Sequence, residues 1–259
     1  MSALQRVPVA VSAELEEARA EIRRLQLQLA QAAQAVEDYT YSVSHDLRAS
    51  LRHVSSYLSI VREDLGHGVD PAIVAHLDTA GEAAAHMAHL MDGLLELSRV
   101  GCAELQYSDV DLGLLISDLR HQMELDTAVR RIEWSVASDI ALVRGDLALL
   151  GQMLACLLDN ALKFTRQCAV ARIEVGWSRR HGGALELRIR DNGVGFDPRF
   201  QDRLFRVFQR LHNPREFDGL GVGLALARRV VERHGGTIWA DGDMRPGCQV
   251  SLTLPIAAG

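Results

Sequence analysis

Three short stretches of the sequence combine residue types that can do chemistry. The first is RDNGVGFD, residues 190–197, in which Asp191 ends a predicted strand and Gly193 and Gly195 follow at once. Glycines let the backbone approach a flat ligand closely. A carboxylate at the mouth of the strand can accept a hydrogen bond from an exocyclic amino group such as that of adenine. Taken alone, this stretch is more simply a glycine-rich turn.

The second stretch is a glycine cluster in front of a predicted helix. Gly219, Gly221 and Gly223 directly precede the helical run LALARRVVERHGG. The free N–H groups and the dipole of a helix N-terminus favour phosphate. A dinucleotide-binding fold would place a strand before the glycines, whereas this chain has the polar loop QRLHNPREFDG there. We therefore expect a mobile lid over phosphates.

The third stretch is LLDNALKFT, which lies inside a predicted helix. Asn160 and Lys163 share one helix face because they are three residues apart. An amide oxygen can ligate Mg²⁺ together with substrate phosphates, and an ammonium can pair with phosphate charge. Without the glycine motifs, the simpler interpretation is a surface asparagine and a solvated lysine.

A histidine lies between regularly spaced apolar residues in the N-terminal part of the chain, in YSVSHDLRASL. Apolar residues recur there at steps of three and four, as in the seam of a coiled coil. They are Leu15, Ala18, Ile22, Leu25, Leu29, Ala32, Val36, Tyr39, Val43, Leu47, Leu51, Val54, Leu58, Val61 and Leu65. At about 100° per residue, His45 lies roughly 160 to 200° from Val43 and Leu47, so it faces away from the seam.

The elements that position these residues fall into two parts. Residues 11–65 predict one long helix, whose first half is a dimeric coiled coil and which ends at Gly66-His67-Gly68. Asp70 and Pro71 predict the cap and first turn of a second helix. Its apolar stripe would pack on the first helix as a hairpin, and two chains would form a four-helix bundle. From about Asp109, alternating strand and helix patterns predict an α+β sandwich.

The composition narrows the function classes. The chain has 259 residues, of which 48% are hydrophobic and 24% charged, and a formal charge of −6, which argues against a nucleic-acid surface. It has no run of eighteen apolar residues and no secretory pattern at the N-terminus, so we expect a cytoplasmic protein without a membrane span. The four cysteines are scattered, which is typical of reduced, structural thiols.

Five motifs in order give the chain a specific resemblance. SHDLR, LLDNALKFT, DNGVGFD, LFRVFQRL and GLGVGLALARRVVERHGG resemble the H, N, G1, F and G2 boxes of sensor histidine kinases, closest to the phytochrome-type branch. The resemblance covers about residues 36–255. It implies a coiled-coil linker over residues 1–35, a dimerisation and histidine phosphotransfer domain over 36–103, and an ATP-binding α+β sandwich of the gyrase, chaperone and kinase type over 104–259.

The resemblance also implies the site. His45 would be the nucleophile that takes the γ-phosphoryl group of ATP, and Asp46 would orient or deprotonate its imidazole. Asn160 would bind Mg²⁺. The other expected nucleotide contacts are Lys163 on phosphates, Asp191 on adenine, Gly193 and Gly195 in the floor, Phe205 and Phe208 under the lid, and Gly219, Gly221 and Gly223 around the phosphates. The partners would be a second copy of the chain, a response-regulator aspartate, and an upstream sensor domain or protein.

Three positions depart from the family pattern. Ser50 stands where a helix-bending proline is usual, so the first helix should be straighter. Cys156 stands where a second asparagine is common, and a thiol is the poorer Mg²⁺ partner. Ala49 stands where Thr or Asn accompanies phosphatase activity, so we expect that activity to be weak.

Two other function classes remain open at this point. One is a phosphotransfer or scaffold protein with a degenerate nucleotide domain, for which Cys156 and Ser50 give some support. The other is an ATPase that acts through nucleotide-driven dimer closure, which would leave His45 without a role.

Overall fold

The computed structural model describes residues 9–66, 70–126, 130–180, 182–213, 216–242 and 247–257. Outside these residues lie His67 and Gly68 of the predicted break and Pro214 and Arg215 of the predicted lid. His181 also lies outside them, and the sequence His181-Gly182-Gly183 predicts a hairpin turn between two strands. The helices are α1 (Val9–Leu65), α2 (Pro71–Cys102), α3 (Leu112–Asp126), α4 (Leu147–Phe164) and α5 (Gly223–Arg233). The strands are β1 (Tyr107–Val110), β2 (Ile132–Val136), β3 (Val143–Asp146), β4 (Ala171–Arg179), β5 (Ala184–Asp191), β6 (Ile238–Asp241) and β7 (Cys248–Pro255), with a 3₁₀ helix at Pro198–Arg203.

Helix α1 is long because nothing in its sequence stops it. Between Val9 and Leu65 there is neither proline nor glycine, and Gly66, at φ 61°, takes the left-handed conformation that ends helices. Helix α2 begins as predicted, since the Asp70 carboxylate accepts the Ala72 N–H at 2.9 Å and Pro71 fills the first turn. The prediction of a helical hairpin is confirmed.

The hairpin leaves an apolar stripe of α1 uncovered. Among the α1 side chains that the structure describes, Ser44 is the most buried, at 3% exposure. By contrast Val43, Leu47, Val54 and Val61 remain 36 to 49% exposed. These four residues belong to the predicted seam, so the hairpin alone does not shield the residues that the pattern assigns to a partner chain.

The α+β sandwich, which follows the helical hairpin as the second unit of the chain, contains a sheet of five strands in the order β2-β4-β5-β7-β6. The β2 and β4 pair is parallel, and the other three pairs are antiparallel. Strands β1 and β3 form a separate antiparallel ribbon. The prediction of an α+β sandwich is confirmed, because α3, α4 and α5 share one core with the sheet.

Helix α4 supplies much of that core. Leu150, Leu154 and Leu158 are 0% exposed, and the buried residues Ile173, Leu187 and Leu252 of the sheet belong to the same cluster. Among the described residues, α4 is the one helix long and apolar enough by composition to cross a membrane. Its apolar face is instead occupied by the sheet and α5, as expected for the core helix of a folded domain.

The last turn of α2 belongs to both units. Val100 is 3% exposed and lies in the core cluster of the sandwich. From α5, Arg233 donates hydrogen bonds to the carbonyl oxygens of Val100 (2.7 Å) and Ala103 (2.5 Å), which α2 itself leaves free at its end. The sandwich is thus held directly against the helical hairpin of its own chain.

Candidate active site

A cleft of about 690 Å³ lies where the sandwich meets α2. Six of the predicted nucleotide-binding positions line it along with Asn160, namely Lys163, Asp191, Gly195, Gly219, Gly221 and Gly223. The structure therefore brings together residues that are up to 63 positions apart in the sequence, from Asn160 to Gly223. Gly193 and Phe208 do not line it, and neither do His45 and Asp46.

Asp191 lines the cleft at the C-terminal end of β5. It is 8% exposed, and its Oδ1 accepts the Gly193 N–H at 2.8 Å. Burial raises the pKa of the Asp191 carboxyl to about 6, and hydrogen bonds from the backbone of Gly193 and Cys248 limit the rise. A buried carboxylate without a cationic partner is suited to accept a hydrogen bond from an uncharged amino group.

The glycines after Asp191 are required by close backbone contacts. A Cβ on Gly193 would fall 2.4 Å from the carbonyl oxygen of Phe164. Gly195 has φ 65°, and a Cβ there would fall 2.6 Å from the carbonyl oxygen of Gly247. Gly193 therefore acts below the cleft, by letting the loop pack on the end of α4, whereas Gly195 forms part of its surface.

Asn160 and Lys163 project from successive turns of α4, as the spacing predicts. The Asn160 amide nitrogen lies 3.9 Å from the Cβ position of Gly223, and Lys163 Nζ lies 3.2 Å from that of Gly219. Burial lowers the pKa of the Lys163 ammonium, whose Nζ lies 4.7 Å from the centroid of the Phe164 ring. Both side chains therefore face the glycine loop.

The glycine loop leads into an open helix N-terminus. Gly219 (φ 130°) and Gly221 (φ 72°) take backbone conformations that other residues rarely adopt. Val222 caps α5 without any side-chain hydrogen bond to the first turn. The first N–H groups of α5 consequently keep their capacity to donate to an anion in the cleft.

Cys156 lies one turn before Asn160 on the same face of α4, and its sulfur is 3.7 Å from the Cβ position of Gly223. Burial, reinforced by the charges of Glu96 and Asp159, raises the pKa of the Cys156 thiol to about 11. The group is therefore a neutral thiol at physiological pH and a weak ligand for Mg²⁺. In the described part of the chain, no cluster of three or more His, Cys, Asp or Glu side chains could hold a metal ion by itself.

Three aromatic rings that the sequence analysis gave no role, those of Phe164, His212 and Phe217, line the cleft. Phe217 is 3% exposed, and its ring lies 5.2 Å from Phe164 and 5.3 Å from His212, centroid to centroid. Phe208, which is expected under the lid, is 42% exposed and does not line the cleft. Its backbone, at φ 62°, donates its N–H to the Gly221 carbonyl oxygen (2.9 Å). Phe217 is the one phenylalanine in the polar segment QRLHNPREFDG, and this apolar residue in a polar segment could have indicated its burial.

His45 lies on the open surface of α1, as predicted from the seam. Its imidazole is 61% exposed, and its Nδ1 lies 3.3 Å from Asp46 Oδ1. One turn further on, Arg48 pairs with Asp92 of α2, and both side chains line the cleft. The histidine is thus outside the cleft but next to its edge.

The chain is similar in sequence to known ATPases and histidine kinases. Residues 145–258 match the sequence model of the histidine kinase-, DNA gyrase B- and HSP90-like ATPases. The chain is 35% identical over 220 residues to the methanogenesis regulatory histidine kinase FilI of Methanothrix harundinacea, covering 85% of this chain and 24% of FilI. It is 29% identical over 235 residues to cyanobacterial phytochrome B of a Nostoc species, covering 90% of this chain and 31% of that protein.

Solved structures agree in fold. The mycobacterial sensor histidine kinase MprB is 27% identical, with a TM-score of 0.51 over 60% of this chain and 100% of that one. ShkA, solved in complex with AMPPNP, has a TM-score of 0.61 at 23% identity, over 86% of this chain and 46% of that one. This chain spans about a quarter to a third of the length of the curated relatives above. Residues 145–258 belong to the histidine kinase-, DNA gyrase B- and HSP90-like ATPases, and the chain as a whole is similar to sensor histidine kinases.

Proposed function

We propose that the chain is the catalytic core of a two-component protein histidine kinase, which uses ATP to phosphorylate His45 and passes the phosphoryl group to an aspartate of a response regulator. The observation that carries the proposal is the convergence of Asp191, Lys163, Asn160 and the uncapped start of α5 on one cleft. The similarity to histidine kinases over 85% of the chain supports it.

Each part of the cleft matches one part of ATP. Asp191 accepts a hydrogen bond from the adenine amino group at the closed end, above the floor shaped by Gly193 and Gly195. Gly219, Gly221 and Gly223 surround the phosphates, to which the N–H groups of α5 and the Lys163 ammonium donate. Catalysis by such a site consists mostly of positioning and charge neutralisation.

The residues present also fit Mg²⁺. This ion keeps several waters and takes one or two protein oxygens in addition to substrate phosphates. The Asn160 amide oxygen is the protein ligand that α4 offers, whereas the neutral Cys156 thiol contributes none. When bound, the ion would neutralise charge on the β- and γ-phosphates.

His45 is equipped for nucleophilic attack by its neighbour. A Nδ1–H that donates to the adjacent Asp46 carboxylate leaves Nε2 with a free lone pair. Attack forms the bond between Nε2 and the γ-phosphorus, breaks the bond to the β,γ-bridging oxygen, and releases ADP. The Nδ1 proton then passes to Asp46, which leaves a phosphohistidine with a neutral ring and an anionic phosphoryl group.

We further propose that two copies of the chain assemble through α1 and α2. The uncovered stripe at Val43, Leu47, Val54 and Val61 supports this assembly, since a second hairpin would bury it.

The proposed units are the coiled coil (1–35), the phosphotransfer hairpin (36–103) and the ATP-binding sandwich (104–259). The pairing of β1 with β3 supports the start of the last unit. The dependence on ATP and the reduced cysteines favour a cytoplasmic location, with input from an upstream sensor domain or protein.

The test is incubation of the purified chain with γ-labelled ATP and Mg²⁺. We expect label that survives base and is lost in acid, and none in His45→Ala. His53→Ala is the matched control, because His53 is another exposed histidine of α1. Nucleotide binding without label in the parent chain would favour the phosphotransfer or scaffold alternative.

A further inference from the structure

The nucleotide cleft of each chain opens beside the phospho-acceptor helix of the same chain. Arg48 lines the cleft from α1, and Asp92 and Glu96 line it from α2. Arg48 follows His45 by three residues, which is about 4.5 Å along the helix axis and about 60° around it. The chain's own acceptor is therefore one helical turn from its own cleft.

The contacts that hold the sandwich in this place also lie within one chain. Val222, at the start of α5, fits against Gly93 of α2 so closely that a Cβ on Gly93 would fall 2.8 Å from its side chain. Gln152 of α4 donates to Glu96 of α2, and Arg233 of α5 donates to the carbonyl oxygens of Val100 and Ala103. These contacts attach the sandwich to one side of its own α2.

The acceptor of a partner chain would be much farther away. The uncovered stripe at Val43 and Leu47 lies roughly 160 to 200° around α1 from His45. If the stripes of two chains face each other, the two His45 side chains point outward on opposite sides of the bundle. Helices pack 8–10 Å apart and are about 10 Å wide, so the bundle is roughly 20 Å across.

We propose that phosphoryl transfer takes place within one chain, from ATP in the cleft to the His45 of the same chain. The inference rests on the proposed function and on the proposed dimer. It adds which of the two His45 side chains of the dimer receives the phosphoryl group. The bonds made and broken are those described above, with ADP leaving the cleft that Arg48 borders. Transfer within the chain keeps the sandwich beside the α1 that it already borders, whereas transfer to the partner requires the sandwich to reach the opposite side of the bundle.

The experiment is a heterodimer in which only one chain can use ATP. A wild-type chain and an Asp191→Asn chain, carrying different affinity tags and differing in size, are coexpressed and isolated by successive purification on both tags. In the variant, the amide oxygen stays on the N–H groups of Gly193 and Cys248, so its NH₂ would face the adenine amino group without an acceptor between them. Gly221→Val is a second ATP-blind variant, because its Cβ would fall 2.6 Å from the carbonyl oxygen of Gln209.

With γ-labelled ATP, we expect the wild-type chain of the heterodimer to carry at least ten times more label than the variant chain. Label on the variant chain instead would overturn the proposal, since that phosphoryl group could come only from the partner's ATP. Absence of label even in the wild-type homodimer would refute the proposed function rather than this inference. If the chains do not pair, a labelling rate per chain that stays constant over a hundredfold dilution supports transfer within the chain, and a proportional fall contradicts it.

Discussion

The helical hairpin and the sandwich bury their apolar residues to very different extents. In the sandwich, Leu150, Leu154 and Leu158 are 0% exposed, whereas Leu47 and Val54 of the hairpin are 49% and 48% exposed. One unit closes its core within a single chain, and the other has a surface that a second chain would cover. Under the proposed function this difference separates two tasks, because the sandwich would bind ATP with a core closed within one chain and the hairpin would supply the interface between two chains.

The largest expected effects test this difference directly. Leu154→Ala should lower the free energy of unfolding of the sandwich by about 2–5 kcal/mol, because it opens a cavity in a closed core, and leave the oligomeric state unchanged. Leu47→Asp should instead weaken dimerisation on the order of a hundredfold or more, because it buries a charge in the interface. Denaturant unfolding and sedimentation velocity measure the two effects. A stable Leu47→Asp dimer would show that the stripe is not the interface.

Asp191→Asn should separate stability from ligand binding in the sandwich. Because burial raises the pKa of Asp191 from 3.8 to about 6, the folded chain holds a proton between these pH values that the unfolded chain has lost. The free energy of unfolding therefore falls as pH rises through this window, by up to about 3 kcal/mol.

The Asp191→Asn variant should thus be more stable than the parent at pH 7, by up to about 3 kcal/mol, and equally stable below the window, although it no longer binds ATP. Thermal unfolding between pH 4 and pH 8 and binding of a fluorescent ATP analogue measure both properties. Glu174→Gln on β4 is the control, since Glu174 is exposed. Equal stability of variant and parent at every pH would contradict the assigned cause.

The N-terminal cap of α4 in the sandwich should contribute more to the free energy of unfolding than the N-terminal cap of α2 in the hairpin. The Asp146 carboxylate is 8% exposed and accepts N–H groups from both Leu149 (3.1 Å) and Gln106 (2.9 Å). In the described part of the chain, the exposed Asp70 carboxylate accepts one N–H group, that of Ala72. Asp146→Ala should cost about 2 kcal/mol and Asp70→Ala about 0.5–1 kcal/mol, measured by denaturant unfolding. A larger cost at Asp70 would show that the hairpin depends more on local capping than its open packing indicates.

The smallest effect is expected at Cys156. Cys156→Asn places an amide oxygen one turn before Asn160, where the thiol is a weak ligand, and should lower the Mg²⁺ concentration for half-maximal autophosphorylation roughly twofold to tenfold. Cys156→Ala removes the thiol without adding a ligand and should not lower it. If Cys156→Asn leaves both the Mg²⁺ requirement and the rate unchanged, the thiol does not limit metal binding.

Patterns local in the sequence predicted most of the fold. The long helix predicted over residues 11–65, the Asp70 cap and the alternating strand and helix patterns after Asp109 all depend on neighbours a few residues away. The loops around Asp191 and Gly219 could be predicted because each contains closely spaced glycines. Such glycines mark backbone conformations and close contacts that other residues rarely adopt. Arg48 in the cleft, Phe217 in its wall and Val100 in the core of the sandwich could not. Each depends on a contact between segments that only the packed chain brings together.

The burial of Val100 has a consequence for how easily the sandwich can move relative to the hairpin. No flexible linker separates the hairpin from the sandwich at this point, because the last turn of α2 is itself part of the core. Any rotation that detaches α2 must expose this side chain, which costs about 1.5–3 kcal/mol. That cost alone slows spontaneous detachment roughly tenfold to a hundredfold, and the hydrogen bonds of Arg233 and the packing of Val222 on Gly93 add to it.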